Sequence, residues 1–271
     1  MIHPSAFVHP DAQIDPTAVI EPYAVIDGPA VIGARTRVQS HAVITGPVTA
    51  GTDNVIGYGA VVGGFPQDLS FDPGSTSFVQ IGDHNVIREH CTIHRGTKPD
   101  SATVLGSHNF LMAGAHAGHN VEIGNQVILA NNVLLGGYVT VGDRAFLGGG
   151  SVVHQFTRIG PIALLQGMTG VSRDIPPFAI AAGRNSVVAL NVVGLKRAGF
   201  NLALRNEAKR AFDLLYRAGL NTAQARAAAA EQAWALEVAP FWAFVGTSKR
   251  GICGLAAWSR VKGGLVEGSE D

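Results

Sequence analysis

The sequence predicts a mainly β protein, a parallel β-helix wound from hexapeptide repeats and closed by a C-terminal α-helical domain. Three observations predict it. An aliphatic residue recurs every six positions through most of the first 175 or so residues. Charge (15%) and aromatic content (7%) are low while glycines number 34 in 271 residues, which suits tight corners around a narrow aliphatic interior. Beyond about Gly194 the apolar spacing turns helical.

Stepping by six from Ile2 meets Val8, Ile14, Ile20, Ile26, Ile32, Val38, Ile44, Ala50, Ile56 and Val62, all Ile or Val except Ala50. The phase breaks and resumes at Ile81, Ile87 and Ile93, then holds from Leu105 to Val171. Six residues are too few for an α-helical repeat. The period fits a triangular prism with one short strand per face and three hexads, or 18 residues, per coil. Stacked coils would bury the aliphatic columns, with neighbouring strands about 4.8 Å apart. Glycine often follows the aliphatic position, at Gly33, Gly82, Gly124, Gly142 and Gly160, where a Cβ would clash at a corner. Residues 63–80 interrupt the beat as a long insertion and 96–103 as a shorter one. Insertions leave a solenoid on one side and often build its binding site.

After Pro176-Pro177 the beat fades. Asn201 can cap a helix to Ala218 with Leu204, Ala208, Ala211 and Leu215 on its apolar face. Gly219 can end it, Asn221 can cap an Ala-rich helix to about Leu236, and Pro240 can open a third. These helices would cover the open end of the coil. The expected division is residues 1–190 for the β-helix with its 63–80 insertion, 191–253 for the helical domain and 254–271 for a flexible tail.

Formal net charge is zero, so no overall pull toward nucleic acid or a membrane surface is expected. Residues 1–193 carry 9 basic and 13 acidic side chains and residues 194–271 carry 11 and 7, so an acidic partner would dock on the C-terminal part. Two cysteines make no disulfide framework and point to a reducing compartment, so a cytoplasmic location is expected. No signal peptide and no membrane span are expected, because the N-terminus lacks basic and apolar regions and no apolar run nears 18 residues. Phosphate-loop, dinucleotide and Ser or Cys nucleophile motifs are absent.

Histidines crowd the middle of the chain, at 84, 90, 94, 108, 116, 119 and 154. Most would be solvated coil residues. His119, set among small residues in Ala115-His116-Ala117-Gly118-His119-Asn120, is the candidate general base. Positions 18 apart should stack. His119 then meets Gly137 and Gln155, and Gly118 meets Gly136 and His154, giving one patch. A glycine beside the base permits close backbone approach, and its N–H could hold an oxyanion. A zinc reading of His94, His116 and His119 is disfavoured, because trimeric β-helix carbonic anhydrases use a His-x4-His pair absent here; no metal is expected.

A set of further pieces carries a family resemblance: Gln67-Asp68-Leu69, the Thr92–Thr97 run TIHRGT, Leu111-Met112 ahead of His116 and His119, and Ile128–Asn132. Val153-His154-Gln155-Phe156, Asp174-Ile175-Pro176-Pro177, Gly194-Leu195-Lys196-Arg197 and Ser248-Lys249-Arg250-Gly251 follow. In this order, over about residues 1–253, the chain resembles the acyl-carrier-protein–UDP-N-acetylglucosamine O-acyltransferases, left-handed β-helix trimers that start lipid A synthesis. The resemblance implies the handedness, a homotrimer, and transfer of a 3-hydroxyacyl chain from acyl carrier protein to the sugar 3-hydroxyl. The phosphopantetheine thioester would be a co-substrate, with no cofactor. It implies His119 as base and the Gly137 N–H as oxyanion donor. Gln67, Asp68, His94, His116, Tyr138, His154, Gln155, Asn191 and Arg197 would hold the nucleotide sugar. Gly167 would set acyl length. Lys196, Lys209, Arg210, Arg217, Lys249 and Arg250 would meet the acidic carrier protein.

The chain departs from the family pattern at Tyr138, commonly His, at Asn120, commonly Asp, at Ser70, often Lys, and in residues 183–190, which lack the usual Asn-Pro. N-acylation of a 3-amino-3-deoxy sugar on the same scaffold is the alternative reading. A zinc-dependent β-helix lyase and an inactive scaffold stand further off.

Overall fold

The computed structural model describes residues 1–256. The chain winds a left-handed parallel β-helix of two- to five-residue strands on three faces. Among the described residues one sheet has nine strands, from Phe7–Val8 to Gly170–Val171. A second has eight, from Gln13–Ile14 to Arg158–Ile159, and the third has eleven, from Val19–Ile20 to Gly254–Leu255. The six-residue columns fill the prism. Ile20, Val38, Ile56, Ile87, Leu111, Leu129 and Leu147 are completely buried along one face. Only the first rung is uncovered, where Ile2 is 48% exposed.

The pairing register reports the coil length directly. Val43 pairs with Val61, and His116 with Leu134 and then Val152, each 18 positions on. Val61 instead pairs with Thr92 and Thr92 with His116, because the two insertions swell their coils. The longer insertion leaves the prism between strands Val61–Gly64 and Phe78–Ile81, and the shorter between Thr92–His94 and Ala102–Leu105. Both lie one or two coils before the strand His116–Ala117, so they overhang the cluster of histidines.

The corner glycines act through space. A Cβ on Gly33 would lie 2.5 Å from the Gly51 carbonyl of the next coil, and one on Gly160 only 2.3 Å from Pro177 N. The left-handed φ that turns each corner falls two positions later, on Arg35, His84, Gln126, Arg144 and Ile162. Packing between coils outweighs the cost of about 1–2 kcal/mol per left-handed residue.

The coil ends in a hairpin, Ala179–Ala181 against Ser186–Leu190, and helices follow. α1 spans Val192–Arg197, starting two residues before the helical spacing becomes readable, with the Asn191 side chain as its cap. α2 spans Leu202–Tyr216 and is capped by Asn201. α3 spans Thr222–Ala230 behind an Asn221/Gln224 capping box, and α4 spans Ala239–Gly246 with Pro240 in its first turn. α3 stops six residues short of the expected Leu236. The Trp234 indole folds back to donate to the Ala229 carbonyl, which ends the helix. The helical layer shares cores with the coil, since Phe212 packs into the prism and Ile162 and Phe178 pack under Leu195, Leu215 and Phe241. Asp174, only 1% exposed, joins the layers: it accepts from Arg158 N and Nε and from Ser248 Oγ, while Arg158 reaches on to Phe244 O and Thr247.

The expected tail begins differently. Gly254–Leu255 is a strand that pairs with Ser186 and Val187, so the chain returns to the coil before residue 256. The rest of that stretch, 257–271, lies outside the described residues. Among the described residues no helix is long and apolar enough to cross a membrane.

Candidate functional site

A cleft of about 970 Å³ runs along one edge of the nine-stranded sheet, beneath the long insertion. Its floor follows from the register. The outward-facing column reads Thr92, His116, Leu134, Val152 and Gly170 over successive coils. The polar end therefore gives way to an apolar strip, with Leu134 and Val152 still 44% and 46% exposed and Met168 81% exposed nearby. His119, Gly137, His154 and Gln155 line this cleft together with His94, His116 and Gln67.

His119 and Gly137 are in direct apposition. A Cβ on Gly137 would fall 2.3 Å from His119 Cε1 and 2.4 Å from Nε2, so only glycine leaves room for the ring. The Gly137 N–H has no hydrogen-bond partner among the described residues. Behind the ring, His119 Nδ1 is 3.1 Å from Asn120 Oδ1. Tyr138 meets the imidazole edge-on at 5.3 Å and stacks on Phe156 at 4.9 Å.

His94 and His116 form the back wall, their rings edge to face at 5.0 Å. Thr92 Oγ1 lies 2.7 Å from His116 Nδ1. Burial, and then the neighbouring His116 and His119, push the His94 imidazole down to about 4. Burial lowers His116 as well, with His119 adding to it. Both are therefore neutral near pH 7, and His94 Nδ1 is buried with no partner among the described residues. Asp68 hangs from the insertion with its carboxylate held low by the Ser70 N–H and then the Ser70 hydroxyl, at 2.9 and 2.7 Å, with His119 nearby adding to it. No group of three or more His, Cys, Asp or Glu among the described residues is arranged to hold a metal ion.

Other sequence candidates lie elsewhere. Asn191 is buried as the α1 cap, accepting from Gly194 N at 2.9 Å and donating to Ile162 O at 2.8 Å, and exposed Arg197 ends that helix; neither lines the cleft. Gly167 sits one coil beyond Gly149, and a Cβ there would meet only the Gly149 carbonyl at 3.4 Å. Lys209, Arg210 and Arg217 gather in a shallow groove on α2, where Asp213 pairs with Lys209 and Arg217, and Arg210 covers Trp234. Exposed Lys196 is on α1; Lys249 and Arg250 follow α4, with Arg250 bonded to Ser172 O. Ser172, Arg184 and Asn185 also line the cleft, and the sequence reading passed them over. One more step of 18 from His154 reaches Ser172, so the signal was present in the stacking rule.

Two family descriptions match the chain: bacterial transferase hexapeptide repeats over residues 102–137, and the second domain of UDP-N-acetylglucosamine O-acyltransferase over residues 174–253. The acyl-[acyl-carrier-protein]–UDP-N-acetylglucosamine O-acyltransferase of Burkholderia lata is 45% identical over 209 residues, covering 74% of this chain and 79% of that one. The enzyme of the same name from Gloeothece citriformis is 46% identical over 184 residues, which is 68% of this chain and 66% of that one. This match spans just under two thirds of the relative's length. Among solved structures, the Francisella novicida UDP-N-acetylglucosamine acyltransferase superposes with a TM-score of 0.91 at 35% identity, covering 98% of this chain and all of that one. The Arabidopsis enzyme superposes at 0.85 and 32% identity, covering 93% of this chain and all of that one.

Proposed function

The chain belongs to the acyl-[acyl-carrier-protein]–UDP-N-acetylglucosamine O-acyltransferase family, and from that premise we propose that it moves a 3-hydroxyacyl chain from acyl carrier protein to the 3-hydroxyl of UDP-N-acetylglucosamine, the first step of lipid A biosynthesis. The observation that carries the reading is the apposition of His119 and Gly137 at the head of an apolar strip. His119 takes the proton of the sugar hydroxyl as its oxygen attacks the thioester carbonyl. The carbonyl oxygen gains charge, which the unpartnered Gly137 N–H would receive. Collapse breaks the C–S bond and the leaving sulfur takes the proton back from His119, so an ester and a free phosphopantetheine thiol replace the thioester and no cofactor takes part. Leu134, Val152 and Met168 offer the acyl chain its apolar surface, with Gly167 further along setting the length.

Gln67, His94, His116, His154 and Gln155, which line the cleft, would hold the sugar together with Asp68 and Tyr138, which lie near His119. Neutral His94 and His116 suit uncharged hydroxyl groups better than phosphate. In a homotrimer, exposed Arg197 would serve a neighbour's cleft, with buried Asn191 holding the start of the helix that carries it. Lys196, Lys209, Arg210, Arg217, Lys249 and Arg250 offer the acidic carrier a docking face in the cytoplasm. Replacing His119 with Ala tests the central role: acyl transfer should fall about 10²–10⁴-fold with the fold intact, and an unchanged rate would remove His119 from the mechanism.

A further inference from the structure

One oxygen holds the imidazole of His119 from behind. Asn120 Oδ1 lies 3.1 Å from His119 Nδ1, 3.0 Å from Thr97 N and 3.0 Å from Thr97 Oγ1. A backbone N–H can only donate, so the Asn120 amide atom facing Thr97 N must be the oxygen. That oxygen in turn requires a hydrogen on the ring nitrogen it faces. His119 is therefore the Nδ1–H tautomer, and the bare lone pair sits on Nε2, on the Gly137 side. Thr97 Oγ1 also lies 3.0 Å from the Tyr138 hydroxyl. With the Thr97 proton committed to Asn120, Tyr138 O–H must donate to Thr97. The donors all run one way and end on Asn120 Oδ1. Tyr138 is itself wedged between His119 and Phe156, which keeps its hydroxyl on target.

We propose that Asn120, backed by Thr97 and Tyr138, is a charge-neutral positioning unit that fixes the tautomer and ring plane of His119. It does so without placing a carboxylate against the imidazole. This deepens the reading of His119 as a base and rests on it only for the kinetic consequences. A carboxylate at this position would accept the same three donors, so position alone does not distinguish Asn from Asp. Charge does. An anion 3 Å from Nδ1 would favour imidazolium, and imidazolium cannot take a proton. With the amide there, the charged and titratable groups around His119 are Asp68 from the insertion, His94 and His116 from the back wall, Tyr138 from the next coil, and His154 and Arg184, which line the same cleft. The arrangement holds the base in line without setting a negative charge beside it.

The test uses the full-length protein labelled with 15N-histidine, with His119→Gln assigning the His119 signals. Wild type should show a protonated Nδ1 and a bare Nε2 at neutral pH, an outcome that does not depend on acyl transfer. Asn120→Gly removes the side chain without backbone strain, because residue 120 has a φ of 57°. It should mix the two tautomers and lower kcat about 10- to 100-fold while leaving KM little changed. Asn120→Asp should keep the tautomer but move the acid limb of the pH–rate profile up by about one unit or more. Tyr138→Phe should weaken the tautomer preference in the same direction as Asn120→Gly, by less. An Nε2–H tautomer in wild type, or an Asn120→Asp profile that superposes on wild type, would overturn the proposal. A wild-type protein with the expected tautomer but no acyl transfer would instead overturn the proposed function alone.

Discussion

Gly137→Ala isolates the geometry of the site in one methyl group. The added carbon would sit 2.3 Å from His119 Cε1 and 2.4 Å from Nε2, where carbon contacts settle at about 3.5–4.0 Å. The ring must therefore retreat by about 1 Å or more. Its path back is closed by the Asn120 hydrogen bond and by the Tyr138 ring. Displacements of this size cost about 10²-fold in rate, equivalent to about 2.7 kcal/mol of transition-state stabilisation. Stability should change little. Gly137 does not have a left-handed φ, so the backbone tolerates alanine, and the gain of about 0.4–1 kcal/mol from a less flexible unfolded chain is offset by the crowding of the ring. The assay is steady-state acyl transfer with 3-hydroxyacyl carrier protein, paired with a thermal melt of the same preparation. A variant that melts normally yet keeps kcat/KM within about threefold of wild type would refute the apposition of Gly137 and His119 as a requirement of catalysis.

Two further outcomes follow from the packing and the charges. His94 is depressed to about 4 in the fold against an ordinary value of about 6.5. The unfolded chain therefore binds a proton that the folded chain refuses, so stability is lost as pH falls from about 6.5 toward 4, by on the order of 3 kcal/mol from this group; urea unfolding at pH 7 and 4.5 should show a smaller difference in His94→Gln than in wild type. Asp174→Ala strands the buried side of Arg158 and the hydroxyl of Ser248 at the joint between coil and helices, and should cost about 3 kcal/mol or more by denaturant unfolding.

Much of the coil was legible because its cause is local and repeated. A side chain points into the prism once per hexad, so Ile20 through Leu147 announced themselves by spacing alone. The 18-residue coil carried that periodicity into three dimensions and brought His119 over Gly137 without any knowledge of chemistry. What the repeat does not encode was harder to read. Corner residues such as Arg35 and His84 adopt left-handed φ because coil stacking forces them to, against their own preference. The end of α3 depends on Trp234 reaching back to Ala229, a contact with no periodic signature. The Thr97–Asn120–Tyr138 network joins an insertion to two coils across 23 and 41 residues, so spacing rules that assume a regular coil pass it by. Ser172, by contrast, was within reach of the same rule that located His154.

The proposed reaction places an acyl chain on a sugar hydroxyl. Purified protein given 3-hydroxyacyl carrier protein and an equimolar mixture of UDP-N-acetylglucosamine and its 3-amino-3-deoxy analogue, with products resolved by mass spectrometry and base-labile ester distinguished from amide, tests it most directly. 3-O-acyl ester should be a main product, lost in His119→Ala. Amide alone, or no acyl transfer to either acceptor, would contradict it.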